Sequence, residues 1–265
     1  MSIYADTGIL AYCVFVAAVL GAAFGSFLNC AAYRVAHDEP WWKGRSRCPA
    51  CGHDLGVPDL VPVFSWLFLR GKCRHCGAPI SPRYLAAELA FAALTVACLG
   101  EFDLTVVCLR NWIFLCCLFC LSLVDLEAYI IPDETLILAA AAWLVTLPFA
   151  GMGAGEIIAH LLAAVGFGGG ILLISLGMDA LLKKDSLGGG DIKLFALVGL
   201  YLGPVSALFS VMLAAVLGLV FAVVRKAVGN REELIPFGPS IAAAAAGMLL
   251  WGDGLVQWYL GLLGL

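Results

Sequence analysis

Long apolar runs separated by short polar segments form the dominant pattern along this chain. A run of roughly 20 apolar residues is long enough to cross the hydrocarbon core of a bilayer as a helix. The runs are 8–33, 84–100, 104–124, 135–150, 155–182, 192–203, 205–224 and 235–251. The pattern therefore predicts an all-α, polytopic membrane protein with about eight transmembrane helices. The segment 252–265 is too short for a further span, and we expect it to lie along the outer interface.

The composition supports a membrane protein, and the apolar runs and the polar segment between them divide the chain into three regions. Hydrophobic residues make up 63% of the chain and charged residues 13%, whereas a soluble domain is about half apolar and about a quarter charged. The formal net charge of -4 is too small to indicate a nucleic-acid partner. We therefore expect a first transmembrane helix in 1–33, a polar loop outside the membrane in 34–83 and a transmembrane core in 84–265, with the lipid bilayer around the membrane-spanning parts.

The distribution of basic residues predicts the orientation. Eight of the 15 Lys and Arg residues lie in the loop 34–83, and loops rich in these residues stay on the cytoplasmic side. The N-terminus is then outside, and counting spans brings 125–134, 183–191 and 225–233 to the cytoplasmic face. Five further basic residues agree with that placement: Lys183, Lys184, Arg225, Lys226 and Arg231.

Two C-x-x-C pairs lie inside the basic loop, in SRCPACGH and GKCRHCGAP. Their cysteines, Cys48, Cys51, Cys73 and Cys76, form the ligand set of a tetrahedral zinc site. Two disulfides are the alternative, but they would require the loop to face an oxidising compartment. Four thiolates leave no open position for water, so we expect zinc to hold the loop together without catalysing hydrolysis. No repeat at a fixed period is visible.

Two carboxylates at the ends of apolar runs form the second candidate site. Asp125 directly follows one run, whereas Asp191 precedes another and follows Gly188, Gly189 and Gly190. Each could simply cap a helix. The span count places both at the cytoplasmic face, however, and two carboxyl groups brought together can share one proton while activating water. A proton or cation pathway is the alternative use of such a pair.

Five motifs in order give the chain its resemblance to a known family. They are GSFLNCAAYR at 25–34, the two C-x-x-C pairs, D-x7-D at 125–133, GGGDIK at 188–193 and IPFGPS at 235–240. With these motifs the chain resembles the bifunctional type IV prepilin leader peptidases and N-methyltransferases, which are membrane aspartic proteases of the GxGD type. The likeness covers nearly the whole chain.

The resemblance implies an enzyme of the bacterial inner membrane. It implies Asp125 and Asp191 as the catalytic dyad, Gly188 and Gly190 as the motif glycines, and Lys193 as the motif lysine without an assigned role. The implied reaction cleaves the leader of prepilins or pseudopilins after a glycine at the cytoplasmic face. N-methylation with S-adenosylmethionine follows, with Gly71 and Lys72 as candidate residues. A carboxylate-lined transporter and a structural component of a pilus or secretion assembly are the alternatives.

Overall fold

The computed structural model describes residues 7–183, 187–229 and 235–262, and no β-strand occurs within these ranges. Lys184 and Arg231, which the charge count assigned to the cytoplasmic face, lie outside the described residues. The chain forms two compact units, Met1–Trp112 and Ile113–Leu265. The α-helices are α1 (Thr7–Ala36), α2 (Phe64–Phe68), α3 (Pro82–Phe102), α4 (Val106–Ala128), α5 (Asp133–Thr146), α6 (Ala154–Leu182), α7 (Gly189–Ala227) and α8 (Gly238–Leu262).

The predicted membrane spans appear in the structure as eight apolar segments. Two of them belong to one helix, however, and the last one is longer than predicted. Six of the described helices, α1, α3, α4, α6, α7 and α8, are long and apolar enough to cross a membrane. Helix α5 matches the predicted run 135–150 but has only 14 residues. The predicted runs 192–203 and 205–224 both belong to α7. The segment after 251 does not leave the helix as expected, because α8 continues to Leu262.

Helix α7 turns sharply at Gly203, which divides it into two arms. Gly203 has φ 70° and ψ −178°, a conformation that only glycine adopts readily. The next residue, Pro204, has no backbone N–H and therefore leaves the carbonyl of Leu200 without its usual helical partner. His160 of α6 donates from Nδ1 to this carbonyl at 2.8 Å. The one histidine in a predicted span therefore satisfies a freed backbone group.

Contacts at both ends of α7 show that its arms fold back on each other. Lys193, near the start, contacts Asp133, and Arg225, near the end, contacts the hydroxyl of Tyr129. A straight helix of 39 residues would be roughly 58 Å long and could not bring both ends to one short segment. The arms therefore form a helical hairpin, which accounts for the two predicted runs.

Glycines on α1 allow close packing against α3 in the first unit. A Cβ added to Gly21 would lie 2.7 Å from Cα of Ala92, and one added to Gly25 would lie 2.9 Å from the carbonyl oxygen of Ala87. Such small residues let membrane helices approach until their backbones touch. The glycine that opens the GSFLNCAAYR motif is thus explained by helix packing.

The second unit has a core of large apolar side chains. Trp143, Phe114 and Leu194 are fully buried there. Tyr201 of α7 stacks on Phe114 with ring centroids 3.9 Å apart, and its hydroxyl donates to the carbonyl of Ala139 at 2.8 Å. The arm of α7 that begins with the glycine-rich motif is therefore packed firmly against α4 and α5.

Candidate active site and metal centre

Asp125 lies near the end of α4 and is fixed by the start of α8. Its side chain is buried, and its Oδ2 accepts a hydrogen bond from the backbone N–H of Gly238 at 2.9 Å. A Cβ at Gly238 would lie 2.7 Å from that oxygen, so a larger residue would push the carboxylate away. The glycine of the IPFGPS motif therefore allows α8 to begin directly against Asp125.

Asp191 lies in the first turn of α7, but it is not the helix cap. Gly188 occupies the N-cap position, and the backbone N–H of Asp191 donates to the Gly188 carbonyl at 3.1 Å. Gly188 and Gly189 are exposed, and a Cβ at Gly189 would meet nothing within 4 Å. Asp191 itself is half-buried. The backbone beside this carboxyl group is consequently open to an approaching chain.

The two predicted carboxyl groups lie close enough in the structure for a Coulombic interaction between Asp125 and Asp191. The residues come from different helices of the second unit, and each sits at a helix end where an apolar segment meets a polar one. Two such groups can hold a proton between them and polarise a water molecule, which is the chemistry of an aspartic peptidase.

Two contacts brace the glycine-rich start of α7 against the connection between α4 and α5. A Cβ at Gly190 would lie 2.9 Å from Cβ of Ile131, so the two segments touch there. Lys193 Nζ contacts both oxygens of Asp133, at 2.7 and 2.8 Å. Asp133 is the first helical residue of α5, with Pro132 at the cap. Sequence reasoning left Lys193 without a role, although opposite charges in the two motifs were a usable signal.

The four cysteines of the loop come together in the first unit. Their Sγ atoms all lie within 4.8 Å of one another and could hold a metal ion. Cys48 and Cys73 are buried, whereas Cys51 and Cys76 are exposed. Hydrogen bonds from the backbone N–H groups of Cys51 and Ala50 lower the pKa of the Cys48 thiol to about 7, whereas desolvation and the neighbouring thiols raise the pKa of Cys76 to about 11. The thiol set fits a tetrahedral metal site.

Each cysteine pair lies in its own turn, and the two turns have the same backbone hydrogen-bond pattern. In the first, the N–H of Cys48 donates to the His53 carbonyl and that of Gly52 donates to the Cys48 carbonyl, at 3.0 and 2.8 Å. In the second, Cys73 donates to Ala78 and Gly77 to Cys73, at 2.8 and 2.9 Å. The segments 46–55 and 71–80 therefore share one backbone arrangement. The C-x-x-C-G pattern was its sequence signal.

Left-handed glycines shape these two turns. Gly52 and Gly77 have φ angles of 71° and 72°, which a residue with a side chain adopts only at a cost. The adjacent His53 and His75 rings contact each other in a tilted arrangement, with centroids 3.5 Å apart and an interplanar angle of 38°. Among the described residues, the group that could hold a metal ion consists of the four thiols.

Gly71 and Lys72 form the turn that precedes the second cysteine pair. Gly71 has φ 66°, and a Cβ there would lie 2.8 Å from the Trp66 ring. Its N–H donates to the Trp66 carbonyl at 2.9 Å. Lys72 is exposed, and its backbone pairs with Pro79. Gly71 is therefore explained by the turn and by the indole packed against it.

Glu88 of α3 is a buried acid whose position the sequence did not explain. Only 7% of its surface is exposed, and its Oε2 accepts the N–H of Val63 at 2.7 Å. Val63 has a φ of 64°, which is uncommon for a β-branched residue. Glu88 thus fastens the polar loop to α3 at Val63.

The helices and the four-cysteine loop together define a multi-pass membrane protein with a candidate metal centre. Comparison with known proteins then identifies its family. Residues 19–102 match the bacterial peptidase A24 N-terminal domain, and residues 112–223 match the type IV leader peptidase family. The chain belongs to the type IV leader peptidase family. No solved structure matches it.

Curated relatives agree with this family. A prepilin leader peptidase/N-methyltransferase of Bacillus subtilis is 34% identical over 250 residues, covering 91% of this chain and 96% of the relative. A protein of the same name from Aeromonas hydrophila is 35% identical over 227 residues, covering 82% of this chain and 74% of the relative. The similarity therefore extends across both units.

Proposed function

We propose that the protein is an intramembrane aspartic endopeptidase that cleaves the leader of type IV prepilins or pseudopilins and then methylates the new N-terminus. The observation that carries the peptidase proposal is the pair of carboxyl groups, Asp125 and Asp191, brought into electrostatic contact from two helices. Family membership supports the substrate class, because the relatives are named as prepilin leader peptidases and N-methyltransferases.

In the proposed reaction the two aspartates divide the proton transfers between them. One carboxylate takes a proton from water, which attacks the scissile carbonyl carbon. The other carboxyl group protonates the carbonyl oxygen or the leaving amine. The Gly238 N–H holds Asp125 in place at 2.9 Å, so the dyad has one fixed member. The open backbone at Gly188 and Gly189 leaves room for an extended substrate strand beside Asp191.

Lys193 is proposed to position Asp191 through its ion pair with Asp133. The first turn of α7 contains two helical glycines before the aspartate, and glycine restrains the backbone poorly. The Lys193–Asp133 contact and the packing of Gly190 on Ile131 tie this turn to the segment that follows Asp125. The start of α7, which carries Asp191, is thereby attached to the segment that directly follows Asp125.

We further propose that Cys48, Cys51, Cys73 and Cys76 bind one structural zinc ion and that the loop 34–83 is associated with methyl transfer. Four thiolates saturate a tetrahedral zinc ion, so the metal supplies stability to the loop. S-adenosylmethionine is the proposed methyl donor. Gly71 and Lys72 remain the candidate residues: Gly71 shapes the turn against Trp66, and the exposed Lys72 side chain projects from the same turn.

The proposed location is the bacterial inner membrane, with the N-terminus outside and both sites at the cytoplasmic face. The basic loop 34–83 supports this orientation. Prepilin or pseudopilin substrates would then reach the aspartates from within the membrane, with their leaders on the cytoplasmic side. The three regions 1–33, 34–83 and 84–265 keep their proposed roles as first helix, zinc loop and peptidase core.

A cleavage assay with a co-expressed prepilin tests the dyad. Asp125→Asn and Asp191→Asn, each made singly, are expected to lower the cleavage rate by about 100-fold or more, because a proton-transfer group is lost. Asp253→Asn is the matched control, since Asp253 is exposed on α8. If either dyad variant cleaves at the wild-type rate, the assignment fails. Processed prepilin in the absence of this protein would instead favour a structural role in an assembly.

A further inference from the structure

A pair of cysteines outside the zinc cluster lies near the turn between α3 and α4. The Sγ atoms of Cys98 and Cys108 are 4.0 Å apart. Each Sγ also lies 3.7 Å from the backbone carbonyl oxygen of the other residue. Both residues belong to the first unit, and the two helices are joined by only three residues. The thiols therefore face each other across a short helical hairpin.

The depth of this pair differs from that of the other cysteines on α4. Cys108 is the third residue of the helix, whereas Cys116, Cys117 and Cys120 follow more than two turns later. At 1.5 Å per residue, these three lie roughly 12 to 18 Å deeper than Cys108. The tip of the hairpin is exposed at Glu101, Leu104 and Thr105. Only the Cys98–Cys108 pair among these cysteines is near a polar boundary.

The hairpin tip and the four-cysteine loop lie at opposite ends of α3. That helix has 21 residues and is therefore about 31 Å long, which is the thickness of a bilayer core. If the loop is cytoplasmic, as the proposed function requires, the tip faces the outer compartment. Thiols persist in the cytoplasm, whereas paired thiols on the outer side are oxidised.

We propose that Cys98 and Cys108 form a disulfide that joins α3 to α4 at the outer face of the membrane. The inference rests on the orientation given under the proposed function. The disulfide would close a short loop and restrict the unfolded hairpin, while the thiols of the metal cluster stay reduced. One chain would then use its cysteines in two redox states on two sides of one membrane.

The oxidant is the reactive disulfide of an outer-compartment thiol–disulfide oxidoreductase. Cys108 is half-buried and Cys98 is fully buried, so the Cys108 thiolate attacks the donor disulfide first. A mixed disulfide forms, and one donor sulfur leaves as a thiolate. The Cys98 thiolate then attacks the Cys108 sulfur, which forms the internal bond and releases the second donor thiolate. Two electrons pass to the donor, and the two protons from the cysteines end on its thiols.

Counting thiols in the whole protein tests the proposal. Membranes are quenched in acid, denatured with a zinc chelator and alkylated with a maleimide polymer, before and after reduction. The wild-type protein is expected to gain two labels on reduction. Cys98→Ala and Cys108→Ala are each expected to gain none. Cys13→Ala is the matched control because it removes another cysteine of the first unit, from α1, and it should still gain two.

Equal label counts before and after reduction of the wild-type protein would overturn the inference. A gain that survives Cys98→Ala or Cys108→Ala would also overturn it, since the bond would then join other cysteines. The prepilin assay is a separate measurement: the Cys98→Ala/Cys108→Ala double variant should cleave normally, because both aspartates lie in the other unit. Loss of the disulfide and loss of the peptidase activity are therefore distinguishable.

A reporter cysteine separates the orientation from the bond itself. Leu104 is 70% exposed at the hairpin tip, so Leu104→Cys in the double variant places a thiol on that face. A membrane-impermeant maleimide added to intact spheroplasts should label it. If it remains unlabelled until the membrane is permeabilised, the tip is cytoplasmic and the proposal is wrong. Labelling without a wild-type disulfide would reject the bond while keeping the orientation.

Discussion

The metal cluster and the carboxylate site are built in opposite ways. Each half of the cluster is a ten-residue turn, 46–55 or 71–80, and a backbone hydrogen bond from the last residue to the first closes it. The carboxylate site depends on partners 60 and 113 residues apart in sequence, through Lys193–Asp133 and Gly238–Asp125. The cluster is thus specified by short local motifs, whereas the carboxylate site exists only when distant helices have packed.

The two sites also differ in how accessible they are to another molecule. The four thiols lie within 4.8 Å of one another and would fill the four positions around a tetrahedral metal ion. Asp191, in contrast, lies beside the exposed Gly188 and Gly189, and a Cβ added at Gly189 would meet nothing within 4 Å. A filled ligand set suits a structural ion, and a carboxyl group beside an open backbone suits a reaction with an incoming chain.

Removing one cysteine of the cluster should change the zinc content strongly, whereas a change at the carboxylate site should not. Cys73→Ser takes away one buried ligand of four, and we expect zinc in the purified protein to fall from about one ion per chain to nearly none. Metal analysis by mass spectrometry measures this. Asp191→Asn should keep the wild-type zinc content while losing cleavage. Undiminished zinc in Cys73→Ser would contradict the four-thiolate site.

Gly238→Ala should damage the carboxylate site alone. The new Cβ would lie 2.7 Å from Oδ2 of Asp125, so the carboxylate has to move from its place, and misplacement of a catalytic group by about 1 Å can cost on the order of 100-fold in rate. Cleavage is expected to fall by about 10- to 100-fold, with zinc unchanged. Gly247→Ala, on the same helix with nothing within 4 Å of its Cβ, should cleave normally. Equal rates in the two variants would show that the close contact is unimportant.

Gly52→Ala should weaken the metal cluster without affecting the aspartates. Its φ of 71° costs a residue with a Cβ about 1 kcal/mol, which corresponds to roughly a fivefold loss of zinc affinity. Competition with a chromophoric chelator measures the affinity. Gly56→Ala provides the control, because Gly56 has a φ of −84° and should keep the wild-type value. A comparable loss in both variants would mean that the turn geometry is not the cause.

Breaking the Lys193–Asp133 ion pair should have the smallest effect. Both side chains are 57% exposed, and exposed pairs contribute about 0.2–1 kcal/mol. Lys193→Met or Asp133→Asn is therefore expected to lower kcat by about two- to fivefold with little change in KM. The exchanged pair Lys193→Asp/Asp133→Lys should recover part of the loss. If the exchange is worse than both single variants together, charge pairing does not position Asp191.

The sequence predicted the apolar segments and the grouping of the four cysteines because both depend on local patterns. It did not predict that the runs 192–203 and 205–224 belong to one folded-back helix, because that outcome depends on the backbone angle of Gly203. It also did not pair Lys193, which it left without a role, with Asp133. Their contact spans 60 residues, and only the packing of α5 against α7 creates it.

The same limit applies to Gly238 and Glu88. The IPFGPS motif was visible, but a donor N–H directed at Asp125 requires the start of α8 to meet the end of α4. Glu88 lies in a predicted apolar run, and no local pattern indicates that it accepts the N–H of Val63. Groups that satisfy a distant backbone atom leave no periodic trace in the sequence, so they emerge only from the folded chain.

The turn at Gly203 has a consequence for the order in which the protein can be made. The carbonyl of Leu200 is freed by Pro204, and His160 of α6 accounts for it at 2.8 Å. An unsatisfied carbonyl in hydrocarbon costs several kcal/mol, so α7 is poorly suited to enter the bilayer alone. Ribosomal synthesis delivers α6 first. The histidine is therefore already in the membrane when the hairpin emerges, and we expect the two helices to leave the insertion machinery together.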